Sequence, residues 1–174
     1  MKNILSQHTD LTAKRKQEIS SFSILLTIED LIEKGLFREA EKNFKAFRID
    51  EAVSGPEIKS KMLTIVFKLA KSLINEKKYK SAVKFLENLH PDCKQIVEYF
   101  ALLGQSFYGA GDTKNAISIL EEGCYIFQDN IELYCALFDA FDLDGKPLHA
   151  ANVLRKLTLS TNSLLAYRTA LQKI

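Results

Sequence analysis

No apolar run in the 174-residue chain approaches the roughly 20 residues needed to cross a bilayer, and the longest candidates are broken by Glu29, Lys68 or Lys71. The opening stretch MKNILSQHTDLTAKRKQEIS offers only the two-residue apolar step Ile4-Leu5 before polar residues, too little for the core of a signal peptide. Membrane insertion and export by that route are therefore not expected. Glycine (7) and proline (3) are too scarce for a collagen-like or disordered composition, and 47% hydrophobic residues are enough for one ordered domain with a substantial core. Neither sign of charge dominates: 24 Lys and Arg against 22 Asp and Glu leave a net charge of +2, so nothing attracts the whole chain to nucleic acid or anionic lipid. Cysteines are few and odd in number. Cys93, Cys124 and Cys135 include no C-x-x-C or zinc-knuckle pair, which makes reduced thiols in the cytoplasm the simplest account.

Signatures of chemistry are missing as well. His8, His90 and His149 stand alone, with no second ligand at metal spacing, and there is no G-x-S-x-G, phosphate loop or glycine-rich dinucleotide turn. Glu121-Glu122 falls within an amphipathic helical pattern, where a solvated face explains it better than acid-base work. Cys135 lacks a neighbouring histidine or cation to generate thiolate, so a small packed residue is the simpler role. The expectation is a protein without catalytic residues, metal or cofactor.

What the sequence does contain is a period. Ala82, Ala116 and Ala150 recur at intervals of 34, and four further sets keep the same spacing: Leu69, Leu103 and Leu137; Leu73, Phe107 and Phe141; Leu86, Leu120 and Leu154; Val66, Phe100 and Tyr134. Within a unit the apolar residues step by three and four, as in Phe100, Leu103, Phe107 and then Ala116, Ile117, Leu120, the stripes of two amphipathic helices. Turn signals separate them. "GAGDT" supplies Gly109, Gly111 and the capping candidates Asp112 and Thr113, while "LDGKP" supplies Gly145 to end one helix and Pro147 to begin the next.

These residues resemble the tetratricopeptide repeat family, whose pattern of a large residue, Leu-Gly, an aromatic and a later alanine matches Phe100, Leu103, Gly104, Phe107, Ala116 and Leu120. Phe138 and Ala70 stand at the glycine position in the neighbouring units, and the family's proline after the second helix is absent from 97–130 and 131–164. The resemblance implies an all-α, right-handed superhelical stack of about four helix-turn-helix repeats, at about 21–54, 63–96, 97–130 and 131–164 within a domain spanning 21–164. Ile24, Leu31, Gly35, Ala40 and Phe44 carry the first unit. Ala40 to Ala82 is 42 residues, eight beyond the period, which puts an insertion near 48–60, marked by Gly55-Pro56 as a loop or a broken helix extension. Residues 1–20 form an extension, flexible when unbound or adding a helix to a dimer partner, and 165–174 (LAYRTALQKI) a capping helix.

By the same resemblance, the first helix of each repeat lines a concave groove. Its lining is Phe67, Lys68, Lys71, Ile74 and Asn75; then Glu98, Ala101, Leu102, Gln105 and Tyr108; then Glu132, Cys135, Ala136, Asp139 and Asp142. Lys68 and Lys71 at one end and Glu132, Asp139 and Asp142 at the other would orient a peptide or helix of another protein by charge. The acidic end disfavours capture of a C-terminal carboxylate. The basic run KSLINEKKYKSAVK raises RNA binding as a rival, but no continuous basic stripe accompanies it. The expected function is a non-catalytic protein-binding scaffold, in the manner of type III secretion chaperones or of repeat subunits of assemblies such as the anaphase-promoting complex, with a homodimer as a further expectation.

Overall fold

The computed structural model describes residues 2–47, 56–89 and 95–161, together with 168 and 172. It is all-α among the described residues, with eight helices in series: α1 (Lys2–Glu33), α2 (Phe37–Ala46), α3 (Pro56–Asn75), α4 (Tyr79–Glu87), α5 (Val97–Gly109), α6 (Thr113–Ile126), α7 (Ile131–Leu143) and α8 (Pro147–Thr161). They follow one another as four helix-turn-helix pairs, as the 34-residue period requires. The chain divides into two compact units, residues 1–72 and 73–174, with the boundary inside α3.

The four turns are equivalent bond for bond. Gly35, Lys77, Gly111 and Gly145 adopt left-handed φ values of 74°, 59°, 83° and 70°. The amide after each reaches back five residues, Leu36 to Leu31 O, Lys78 to Leu73 O, Asp112 to Phe107 O and Lys146 to Phe141 O, at 2.8–2.9 Å. Each left-handed residue also donates to the carbonyl three before it. This pair of bonds is the Schellman motif, which satisfies carbonyls left over at a helix C-terminus and favours glycine because its turning residue has positive φ. The residue that closes one helix then opens the next: Leu36, Lys78, Asp112 and Lys146 accept from Ala40, Ala82, Ala116 and Ala150, the repeat alanines. Lys77 occupies the glycine position in the second pair. Asp112 rather than Thr113 caps α6, its Oδ1 accepting from Asn115 N at 3.2 Å; Asn130 caps α7, and Pro147 is the first residue of α8.

In the first unit, Leu25, Ile28 and Ile32 on α1 are buried, as are Ala40 and a stripe on α3 that includes Ile58, Ile65 and Leu69. Ile24, expected on the inner stripe, is 41% exposed; the buried stripe begins one residue later, a rotation of about 100° about the helix axis. Residues 2–20 are helical and continuous with the helix of the first repeat. Of the expected insertion, residues 56–60 open α3 as a helix extension, and 48–55 lie outside the described residues. The expected capping helix at 165–174 also lies outside them, apart from Arg168 and Gln172, which are helical.

In the second unit, α5 packs on α4, α6 and α7, and α7 on α6 and α8. The repeat alanines Ala82, Ala116 and Ala150 are at most 1% exposed, and Leu86, Leu120 and Leu154 at most 3%. Gly104 lies where α5 meets α6: a Cβ there would stand 2.6 Å from Leu120 Cγ, a separation that packed atoms do not tolerate. Gly109 remains helical at the end of α5, with the Tyr79 ring filling the space that its side chain would need.

Candidate functional site

On α5, Ala101, Gln105 and Tyr108 are spaced by four and three residues, and on α7 Ala136 and Asp139 by three, so each set shares one helix face. The packing of α5 on α7 brings these faces together around a cleft of about 290 Å³, lined by Ala101, Gly104, Gln105, Tyr108, Leu120, Ala136 and Asp139. Ala101, Gly104 and Ala136 have almost no side chain, and their recession opens the cleft down to Leu120 of α6. The rim is polar: Gln105 is exposed, and Tyr108 and Asp139 are half-buried. The cleft can therefore take an apolar group on its floor and satisfy hydrogen bonds at its edge.

The remaining expected site residues lie elsewhere. Glu98, Glu132 and Asp142 are on α5 and α7 outside the cleft lining, Glu98 half-buried and the other two exposed. Cys135 is half-buried. Asn75 is exposed at the end of α3. Phe67, Ile74 and Leu102, expected to line the groove, are each 6% exposed and belong to packed interior.

In the first unit, Lys68 and Lys71 are exposed on α3, but Lys68 is engaged within the chain: its Nζ lies 2.6 Å from Glu29 Oε1, while Lys61 donates to Glu29 Oε2. Hydrogen bonds first from Lys61 and then from Lys68 hold the Glu29 carboxyl below its ordinary range, and the Glu29 bond in turn raises the Lys68 ammonium. The pairing links α1 to α3.

Two features have no counterpart in the sequence reading. Asp144, in the turn between α7 and α8, accepts from Thr113 Oγ1 at 3.1 Å and pairs with Lys146 at 2.6 Å, joining that turn to the first residue of α6. The Lys146 bond, then the Thr113 bond, lower the Asp144 carboxyl. A second cleft, of about 630 Å³, lies among α6, α7 and α8, with Tyr125, Tyr134, Phe141, His149 and Lys156 in its lining. His149 stacks on Phe141 with ring centroids 5.5 Å apart, a contact consistent with a structural role. Burial, more than the nearby Glu121 charge, pushes the Cys124 thiol up to about 12. Among the described residues no group of three or more His, Cys, Asp or Glu could hold a metal, and no helix is long and apolar enough to cross a membrane.

No family model and no curated protein matches the chain. Solved structures do. MamA from Desulfovibrio magneticus RS-1 (41-end) superposes with a TM-score of 0.61 at 15% identity, over 86% of this chain and 80% of that one. The MamA RS-1 ArsTM double mutant gives 0.61 and 15% over 85% and 79%. A thermophilic TPR protein from Thermus thermophilus gives 0.51 at 16% identity, over 87% of this chain and 79% of that one. Identities this low carry the fold alone. Four equivalent helix-turn-helix pairs, buried repeat alanines and these structural neighbours agree: the chain has a fold of the tetratricopeptide-repeat type.

Proposed function

We propose that the chain is a non-catalytic scaffold that holds a segment of a partner protein against the α5–α7 face. The observation that carries this reading is the cleft itself, where the small residues Ala101, Gly104 and Ala136 leave a recess that ends on the buried Leu120 side chain, inside a rim of Gln105, Tyr108 and Asp139. At about 290 Å³ it lies just below the range of small-molecule sites, on the order of 300–1,000 Å³, and suits one or two side chains of a longer ligand. An extended or helical segment would seat an apolar side chain on Leu120 and offer donors to Gln105 and Asp139. Glu132 and Asp142, on the same helix as Asp139, favour a segment carrying basic residues nearby.

The test is affinity capture from the native extract, comparing wild type with a Tyr108→Ala, Asp139→Lys variant shown by circular dichroism to be folded. Recovery of one protein by wild type and its loss with the variant supports the cleft. Retention of the same proteins removes the cleft from the account. The composition of the recovered material distinguishes two settings: a single exported subunit points to a secretion chaperone, and several subunits in fixed ratio point to an assembly component. Recovery of RNA alone overturns the protein-binding reading.

A further inference from the structure

Helix α1 has more length and more apolar surface than its own unit covers. At 1.5 Å per residue its 32 residues extend about 48 Å, against about 15 Å for the ten-residue α2. The N-terminal end of α3 meets α1 around Glu18, Ile19 and Phe22, where Pro56, Glu57 and Ile58 form the other wall of an open cleft of about 520 Å³. Along α1, Ile19, Phe22 and Leu26 are spaced by three and four residues and are 70%, 40% and 46% exposed. They form a second apolar stripe, rotated by roughly 120° from the buried stripe of Leu25, Ile28 and Ile32. A helix with two apolar stripes has two partners to satisfy, and one of these stripes is already buried while α2 packs on the helix.

Charge at the two ends of the exposed stripe identifies the second partner. Arg15 lies one turn before Ile19 on the same face, and Asp30 and Glu33 lie one and two turns after Leu26; all three are exposed. The stripe therefore reads positive, apolar, negative along the helix. Such a pattern is complementary to itself in the antiparallel sense, and in a parallel pairing it would set like charges together. We infer that α1 is a homodimerisation helix, pairing antiparallel with α1 of a second copy about a two-fold axis beside Phe22. In that register Ile19 packs on Leu26 of the second copy, the two Phe22 rings flank the axis, and Arg15 stands opposite Asp30 with Glu33 one turn away. Two-fold symmetry forms every contact twice, as an isologous interface requires. Within the monomer Asp30 pairs with Lys34 and Glu33 lies 4.0 Å from Lys68 Nζ, exposed ion pairs of small net worth that leave both carboxylates available.

The test uses the full chain in analytical ultracentrifugation over a concentration series. Wild type is expected to show a reversible monomer–dimer equilibrium. Phe22→Glu, at an exposed position and with the helical content checked, is expected to sediment as a monomer throughout. Arg15→Glu is expected to raise the dissociation constant roughly tenfold or more, since the charge pair occurs twice, and Arg15→Glu with Asp30→Arg to restore most of the affinity. Orientation is read by cysteine cross-linking: mixed Ile19→Cys and Leu26→Cys chains should link to each other, whereas Ile19→Cys alone should give no link through position 19. A wild-type chain that remains monomeric, a dimer indifferent to Phe22→Glu, or a 19-to-19 link each overturns the proposal. The first of these would leave the stripe to a different protein.

Discussion

Replacing Gly104 by alanine tests the packing of the second unit with a change of sign. Gly104 lies within α5, where glycine costs about 0.8–1.0 kcal/mol relative to alanine, so Gly104→Ala would stabilise a helix free of constraint by that amount. Here the added Cβ meets Leu120 Cγ at 2.6 Å and Cδ2 at 2.7 Å, and Leu120 is 1% exposed, with little room to move away. Overpacking of this kind costs about 1–3 kcal/mol. The net expectation is a loss of about 0–2 kcal/mol in place of a gain. Leu120→Ala removes the three atoms that the new methyl would strike, itself costing about 2–5 kcal/mol for the cavity. In that background Gly104→Ala should recover about 1 kcal/mol, because helix propensity now acts unopposed and the methyl fills part of the void. Urea unfolding of the four proteins completes the cycle, and a coupling of about 1–3 kcal/mol is expected. If Gly104→Ala stabilises the wild-type chain by about 1 kcal/mol, or has the same effect in both backgrounds, α5 and α6 do not approach as described.

Three further outcomes follow from the geometry. Lys77 holds φ 59° at a position occupied by glycine in the other three turns, so Lys77→Gly should raise stability by about 0.5–1 kcal/mol; a decrease in thermal unfolding temperature would contradict the turn assignment. Glu29, depressed by Lys61 and Lys68, contributes stability that is fully present above its ordinary carboxyl range and is lost as pH falls through the lower folded value. Wild type should therefore exceed Glu29→Gln by on the order of 1 kcal/mol at neutral pH and converge with it in acid, whereas a constant difference across that range would remove the ion pair as its cause. Cys124, with its thiol pushed up to about 12 by burial, should be alkylated more slowly than half-buried Cys135 in the folded chain, and mass mapping that finds Cys124 modified first would place it at the surface.

Much of the architecture was legible because its causes are local and repeat. The alanine register located the second helices, and Gly35, Gly111 and Gly145 announced three turns through a requirement that glycine meets at least cost. The fourth turn was hidden by its residue type: Lys77 carries no turn signal, and only its place five residues before Ala82 shows the equivalence. The length of α1 was hidden for the opposite reason. Residues 2–20 contain no glycine or proline to break a helix, yet they carry no repeat register that would extend one. The cleft was partly visible. Helical spacing put Gln105 and Tyr108 on one face of α5 and Asp139 on one face of α7, but it could not distinguish solvent from a packed neighbour at Phe67, Ile74 and Leu102. The Glu29 pairing with Lys61 and Lys68 joins residues more than 30 positions apart, which no local spacing encodes.

The most direct test of the central claim is hydrogen–deuterium exchange on the purified chain with and without a captured partner, read by mass spectrometry. The account predicts that binding slows exchange in α5 and α7, centred on residues 101–108 and 136–139, and that Tyr108→Ala with Asp139→Lys abolishes the change. Protection confined to α6 and α8, with α5 and α7 unaltered, would contradict it.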